Sequence, residues 1–337
     1  MNKSNILAKF IKSSYRKSSL SFFFKISQDN NFILKWSNFI EEVNGNLPYS
    51  VKFLPIGMDE YGEDYQNFVK ENMSSFQRIE SIGGESLPVF LGHGTRGSAF
   101  NIGEDKILKF MQDPYEFNSY KVMSKRKSKG GDLSHETPHI FDLGTFLWNG
   151  NPFSYWVIME KLIVDNSLIE LEKSMLLDML SMILATLWFQ PDSKTIFAAQ
   201  TPEHGESLKI NDLEKNWIKF KEKTIISIES YGFLSQPFDI ENFKKLFKLS
   251  PECLEDFRES GGNRDSLEDL SIWVLESDLI QDLLKPYLTQ IMLNVAHGYL
   301  DFQSQNLGWR MEEGGHRPIF FDPGYDFESM TKELQEE

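Results

Sequence analysis

The sequence predicts an α+β chain of two lobes, a small antiparallel-sheet lobe followed by a mainly helical one, with a helical extension ahead of both. Three observations predict it. Short runs rich in β-branched and aromatic residues, bounded by turn residues, are confined to residues 88–159. Apolar residues repeat at helical spacing before and after that stretch. The chain also has 337 residues, more than the roughly 100–200 of a usual domain, so two cores are expected rather than one.

In chain order, Phe32, Ile33, Trp36, Phe39 and Ile40 mark one face of a helix, and a turn is expected at Asn44-Gly45-Asn46. Strands are expected at Pro88 to Leu91, Ser98 to Ile102 and Lys106 to Met111. A helix then starts with Asp113 as N-cap and Pro114 at N1, and reaches about Lys127. Two more strands, His139 to Trp148 and Ser154 to Met159, flank Asn149-Gly150-Asn151-Pro152, a hairpin turn signal. Beyond Leu162 helical patterns run through Leu168 to Phe189, Asp212 to Tyr231, Ile240 to Leu249 and Leu267 to Val295. The expected division is a helical accessory region at 1–85, a sheet lobe at 86–162 and a helical lobe at 163–337.

Composition narrows the function. A hydrophobic fraction of 40% with 14% aromatics excludes a disordered chain. Thirty-five basic against 50 acidic residues give a net charge of −15, which repels phosphate backbones and argues against nucleic-acid binding. Residues 1–28 invert that sign, with Lys3, Lys9, Lys12, Arg16, Lys17, Lys25 and no acid. Such an arm suits an acidic partner or a membrane surface, although a solvated helix packed on the rest of the chain has the same pattern. The single Cys253 excludes an internal disulfide and a multi-cysteine metal site, and a reducing, cytoplasmic setting is expected. The start lacks a continuous apolar leader. The apolar stretch Met175 to Phe189 contains Asp178 and is shorter than the roughly 20 residues a bilayer needs, so no membrane span is expected.

Three clusters carry chemistry. Gly92-His93-Gly94-Thr95-Arg96-Gly97 spells G-x-G-x-x-G, but a strand follows it rather than a helix. That is a hairpin tip where backbone N–H groups can approach phosphate oxygens without Cβ clashes, and not a dinucleotide-binding turn. Lys109 sits in the apolar strand Ile107 to Met111 and needs a partner there. Strand alternation puts Ile107 on its face, ready to cover a flat ring. Glu116, in the first turn of the next helix, could pair with Lys109, but Asp113-Pro114-Tyr115-Glu116 also spells a capping box in which Glu116 closes back on the Asp113 N–H. Finally, Asp301 and Asn306 stand five apart, and Asp322 lies 16 further on at the end of an apolar strand, across an expected hairpin. Asn306 and Asp322 are oxygen ligands of the kind Mg²⁺ takes alongside phosphates and water, which leaves Asp301 to accept a hydroxyl proton.

In this order the clusters resemble the protein-kinase-like superfamily, whose signatures are a glycine-rich loop, a strand lysine, a helix glutamate, D-x-x-x-x-N and D-F-G. The short lysine-to-helix connection and Asp322-Pro323-Gly324 in place of D-F-G are similar to the early protein kinases of lytic bacteriophages, which phosphorylate host proteins. The resemblance implies an ATP- and Mg²⁺-dependent phosphotransferase, a serine/threonine kinase with a protein acceptor. Asp301 would be the base, with Lys109 and Glu116 as catalytic partners. Gly92, Gly94, Thr95, Arg96, Gly97, Ala99 and Ile107 would lie around the nucleotide, and Glu160 to Leu162 would offer backbone hydrogen bonds to adenine. Asn306 and Asp322 would hold the metal. The chain departs from the pattern at Tyr299, where a histidine is usual, and at Gln303, where a lysine often stands. Only 13 residues follow Gly324, so no activation segment is expected. A small-molecule phosphotransferase taking an aminoglycoside- or choline-like acceptor, and a pseudokinase binding module, are the competing readings.

Overall fold

In a computed structural model of the chain, the described residues are 30–46, 62–84, 88–94, 97–127, 137–148, 151–188, 210–231, 240–296 and 303–322. Contacts divide the chain into two units, Met1–Asp113 with Gly144–Ile158 and Pro114–Leu143 with Met159–Glu337.

The first unit begins with α1 (Asn30–Asn46), α2 (Gly62–Glu71) and α3 (Met73–Gly83). β1 (Val89–His93), β2 (Gly97–Ile102) and β3 (Lys106–Met111) follow, paired antiparallel. After α4 (Pro114–Lys127) come β4 (Ile140–Trp148) and β5 (Asn151–Glu160), and the five strands form one sheet in the order β1-β2-β3-β5-β4. The expected order of three strands, a helix and two strands is the observed one. The helix α1 runs through Asn44 to Asn46, where a turn was expected. Glycine and asparagine cost a helix at most about 1 kcal/mol each, and its last turn tolerates that.

Alternation along β2 and β3 assigns the two faces of the sheet. Phe100, Ile102, Leu108 and Phe110 point into a core shared with Trp36, Phe39, Phe68 and Phe76 of the helical extension and with Phe146 and Trp156. Ring centroids lie 4.8 Å apart for Trp36 and Phe76, 4.9 Å for Phe76 and Phe146, and 5.7 Å for Phe39 and Phe100. Aromatic pairs of this kind add about 0.5–1.5 kcal/mol each beyond area burial. The abundance of phenylalanine thus has a structural use, to glue α1–α3 onto one sheet face. Asn72, between α2 and α3, completes the attachment. Its amide nitrogen donates to the Leu147 carbonyl at 2.5 Å, and its oxygen accepts from the Leu147 N–H at 2.6 Å.

The second unit is mainly helical, with α5 (Leu171–Trp188), α6 (Ile210–Tyr231), α7 (Ile240–Leu249), α8 (Pro251–Glu259), α9 (Leu267–Glu276), α10 (Asp278–Leu284) and α11 (Leu288–Ala296). The stretch 267–295, which reads as one helical pattern, breaks at Ser277, whose hydroxyl caps the Ile280 N–H, and at a 3-10 turn, Lys285–Tyr287, that contains Pro286. Ser250 and Pro251 start α8 in the same way, the Ser250 hydroxyl accepting from the Cys253 N–H at 3.3 Å. The hairpin of β6 (Leu307–Glu312) and β7 (Gly315–Phe320) closes the unit. Its Leu307, Trp309 and Phe320 lie in the same core as Leu180, Phe220 and Trp273. Among the described residues, no helix is long and apolar enough to cross a membrane.

Candidate functional site

In the first unit the glycine-rich segment is the tip of the β1–β2 hairpin. β1 extends through Gly92 to His93, with Gly92 opposite Ala99, His93 opposite Ser98 and a bulge between Phe90 and Gly92. The Gly94 N–H donates to the Gly97 carbonyl at 2.9 Å and closes the turn. Thr95 and Arg96, expected to cover phosphates, lie outside the described residues. Lys109 is opposite Ala99, and Ile107 opposite Asn101, so Gly97, Ala99, Ile107 and Lys109 share the sheet face turned away from the aromatic core. A Cβ on Gly97 would fall 2.7 Å from the Phe110 carbonyl oxygen and 3.5 Å from Lys109 Cε. Only glycine fits there, and its lack of a side chain gives the lysine stem its path.

In the second unit Glu116 sits in the first turn of α4, two residues after Pro114, and is buried. Among the remaining expected residues, Glu160 and Leu162 belong to a strip pinned at both ends. The Glu160 N–H donates to the His139 carbonyl at 2.8 Å, while Ile163 and Trp309 exchange two backbone bonds at 3.0 and 2.9 Å. The Glu160 side chain is committed to Arg310, whose Nε and Nη2 lie 2.9 and 2.6 Å from Oε1. Arg310 Nη2 also donates to the Thr137 carbonyl at 2.9 Å. A Cβ on Gly308 would stand 2.7 Å from Leu162 Cβ, so β6 approaches the strip as closely as a backbone can.

The same hairpin brings Asn306 and Asp322 to one end. Leu307 pairs with Phe320, and the Phe321 N–H donates to the Asn306 carbonyl at 3.0 Å, one step beyond the strands. Asn306 closes a 3-10 turn, Ser304–Asn306, and is 8% exposed. Asp322 is the residue after Phe321, diagonal to Asn306 across the ribbon. Among the described residues no group of three or more His, Cys, Asp or Glu could hold a metal ion. The two hard oxygen side chains fit Mg²⁺, which completes its shell with phosphate and water, and do not fit zinc. Asp301 lies outside the described residues.

Two further residues hold this end, and neither was singled out from the sequence as functional. Asp178 of α5 accepts from the Ser304 N–H at 2.7 Å, two residues before Asn306. Tyr120 of α4 donates its hydroxyl to the Phe321 carbonyl at 3.1 Å, one residue before Asp322. Signals for both were present. A lone carboxylate in an apolar helix needs a partner, and Tyr120 stands four residues after Glu116, on the same helix face. Burial, and after it the Asp113 carboxylate, push the Tyr155 hydroxyl of β5 above its ordinary value.

No family model matches the chain, and no curated protein matches it. Among solved structures, the GDP complex of a variant aminoglycoside 2′-phosphotransferase-IIIa aligns with 76% of this chain and 73% of its own length. The identity is 14% and the TM-score 0.25. None of the roles assigned below rests on that likeness.

Proposed function

We propose that the chain is a protein-kinase-like phosphotransferase that uses ATP and Mg²⁺ and transfers the γ-phosphoryl group to a hydroxyl of a protein. The observation that supports it best is the hairpin closure at Asn306 and Phe321, which sets two oxygen ligands at one ribbon end. It occurs in a chain whose sheet order β1-β2-β3-β5-β4 carries a lysine on β3 and a glutamate on the following helix. In this reading Lys109 contacts the α- and β-phosphates, and Glu116 orients it. The N–H groups of residues 95–97 cover the phosphates. Ala99 and Ile107 flank the adenine, and the backbone of Glu160 to Leu162 meets its edge. Asn306 and Asp322 would hold Mg²⁺, which supplies neutralising charge on the phosphate oxygens. Asp301 accepts the acceptor's hydroxyl proton as the oxygen attacks γ-phosphorus and the bond to the β,γ-bridging oxygen breaks, releasing ADP.

A second reading keeps the chemistry and changes the acceptor to a small cation. A cavity of about 460 Å³ in the helical unit, lined in part by Asp256, Glu259, Asp269 and Glu276 and by none of the residues given a catalytic role, has the charge to suit a cation. Purified protein incubated with Mg²⁺ and γ- or α-labelled ATP, alone, with cell lysate and with polycationic small molecules, separates these outcomes. Label from the γ position on protein, lost in Asp301→Ala and Asp322→Ala, is the expected result. Label from the α position would mean nucleotidyl transfer. ATP consumption only with the small cations would select the second reading, and no consumption under any condition would leave a nucleotide-binding module in place of an enzyme.

A further inference from the structure

Two side chains from two different helices hold backbone close to the two proposed metal ligands, Tyr120 at the peptide unit joined to Asp322 and Asp178 two residues before Asn306. Asp178 holds the Ser304 N–H at 2.7 Å, and the Ser304–Asn306 turn then carries Asn306. Tyr120, fully buried, holds the Phe321 carbonyl at 3.1 Å, and Asp322 is the next residue. Between the two anchors lies the Phe321 N–H to Asn306 carbonyl bond at 3.0 Å. Behind the ribbon, Gln290 Oε1 of α11 accepts from the Phe320 N–H at 3.4 Å. The anchors lie 126 and 201 residues from the groups they hold. Neither anchor is part of the hairpin's own pairing, in which β6 and β7 are in register from Leu307↔Phe320 to Glu312↔Gly315. What the anchors add is fixed position just past the last paired residues, where a ribbon end otherwise frays.

We propose that Asp178 and Tyr120 are positioning residues that preset Asn306 and Asp322 for a divalent cation bound with nucleotide, an inference that rests on the function proposed above. Neither touches the cation. Tyr120 acts through the Phe321–Asp322 peptide unit and Asp178 through the Ser304–Asn306 turn, as outer partners of metal ligands do when they fix a ligand's orientation before binding. A preset pair forgoes the ordering cost that a loose pair incurs on binding, so loss of an anchor appears in cation affinity before it appears in the nucleotide's other contacts.

The test uses the full-length protein and a fluorescent ATP analogue, titrated with Mg²⁺ and, separately, in EDTA. Tyr120→Phe removes one hydroxyl and keeps the ring, and Asp178→Ala removes the acceptor, while Asp178→Asn keeps an acceptor oxygen. The half-saturating Mg²⁺ concentration is expected to rise about tenfold for Tyr120→Phe and Asp178→Ala, within the roughly 10–100-fold range of outer-partner losses. Asp178→Asn should recover much of that loss. Affinity in EDTA should stay within about twofold of the parent. Variants that melt at lower temperature but keep the parent's Mg²⁺ dependence, or that lose affinity equally in EDTA, would overturn the proposal and leave the anchors purely structural. A parent protein that binds the analogue with no response to Mg²⁺ would overturn the proposed function itself, and this inference with it.

Discussion

The hairpin β1–β2 of the first unit and the hairpin β6–β7 of the second are built in opposite ways. In β1–β2 the outer strand is largely exposed, with Val89 62%, Phe90 44% and Leu91 53% accessible, and a bulge interrupts the register. Its tip is closed by one glycine-to-glycine hydrogen bond. In β6–β7 the register is unbroken, three side chains enter the helical core, and Ile163, Gln290, Asp178 and Tyr120 hold the backbone at or beside the paired region. In the proposed function the first hairpin would cover a phosphate that must be admitted and released, which weakly packed structure allows. The second would hold Asn306 and Asp322 at a fixed separation, which strongly packed structure provides.

The largest effect that could break this comparison is on chemistry. Asp322→Ala in the stiff hairpin should lower phosphoryl transfer by about 10²–10³-fold or more while the melting temperature stays near the parent's. Parallel losses of activity and melting temperature would show that the residue only supports the fold. Next comes stability. In urea unfolding Trp309→Ala should cost about 3–5 kcal/mol, because a large ring leaves a packed core. Phe90→Ala, half-exposed on an edge, should cost about 1 kcal/mol or less. Similar values for the two would mean that the hairpins are equally tied down.

Smaller effects sharpen the contrast. Gly97→Ala and Gly308→Ala each place a Cβ 2.7 Å from a fixed neighbour, the Phe110 carbonyl oxygen in one case and Leu162 Cβ in the other. Each should cost about 1–3 kcal/mol. Steady-state kinetics should set them apart, with Gly97→Ala raising the KM for ATP through the Lys109 stem and Gly308→Ala acting through the adenine strip. The smallest effect probes the helical core. Burial first, then a hydrogen bond to Glu172 and its charge, pushes the Cys253 thiol up to about 12, against an opposing bond from Ser250. The folded protein should therefore resist iodoacetamide at pH 8, and the urea-unfolded chain should react. The raised value also means that Cys253 contributes stability below its ordinary value of 9.0, and that this is lost as pH rises from there toward about 12. Thermal melts across that range, compared with Cys253→Ala, measure the loss.

Much of the architecture was legible because local chemistry and tertiary packing agree. Alternation at 106–111 placed Lys109 and Ile107 on one face, Asp113-Pro114 marked the start of α4, and the polar turn after Glu312 marked the last hairpin. What was not legible depends on partners far along the chain. Nothing local says that Glu160 pairs with Arg310, that Asp178 accepts from Ser304 or that Tyr120 reaches Phe321. These bonds span 126 to 201 residues, and only the packed core brings them together. The break at Ser277 was missed for a different reason: apolar periodicity continues across it, and a one-residue cap is a weaker signal than ten residues of pattern.

Asn72 has a consequence for how copies of this protein can meet. β4 is one edge of the five-stranded sheet, and the Asn72 amide occupies both backbone groups of Leu147, with the Ser75 hydroxyl on the Thr145 carbonyl at 3.4 Å. A side-chain amide there takes a neighbouring strand's place at that residue and hinders strand addition at this end of the edge. β1, the opposite edge, carries no comparable cover among the described residues. A sheet open at both edges can grow without limit as copies add side by side, whereas a sheet sealed at one edge can join only one other. Cover of this kind at one edge works against open-ended strand addition between copies of the chain.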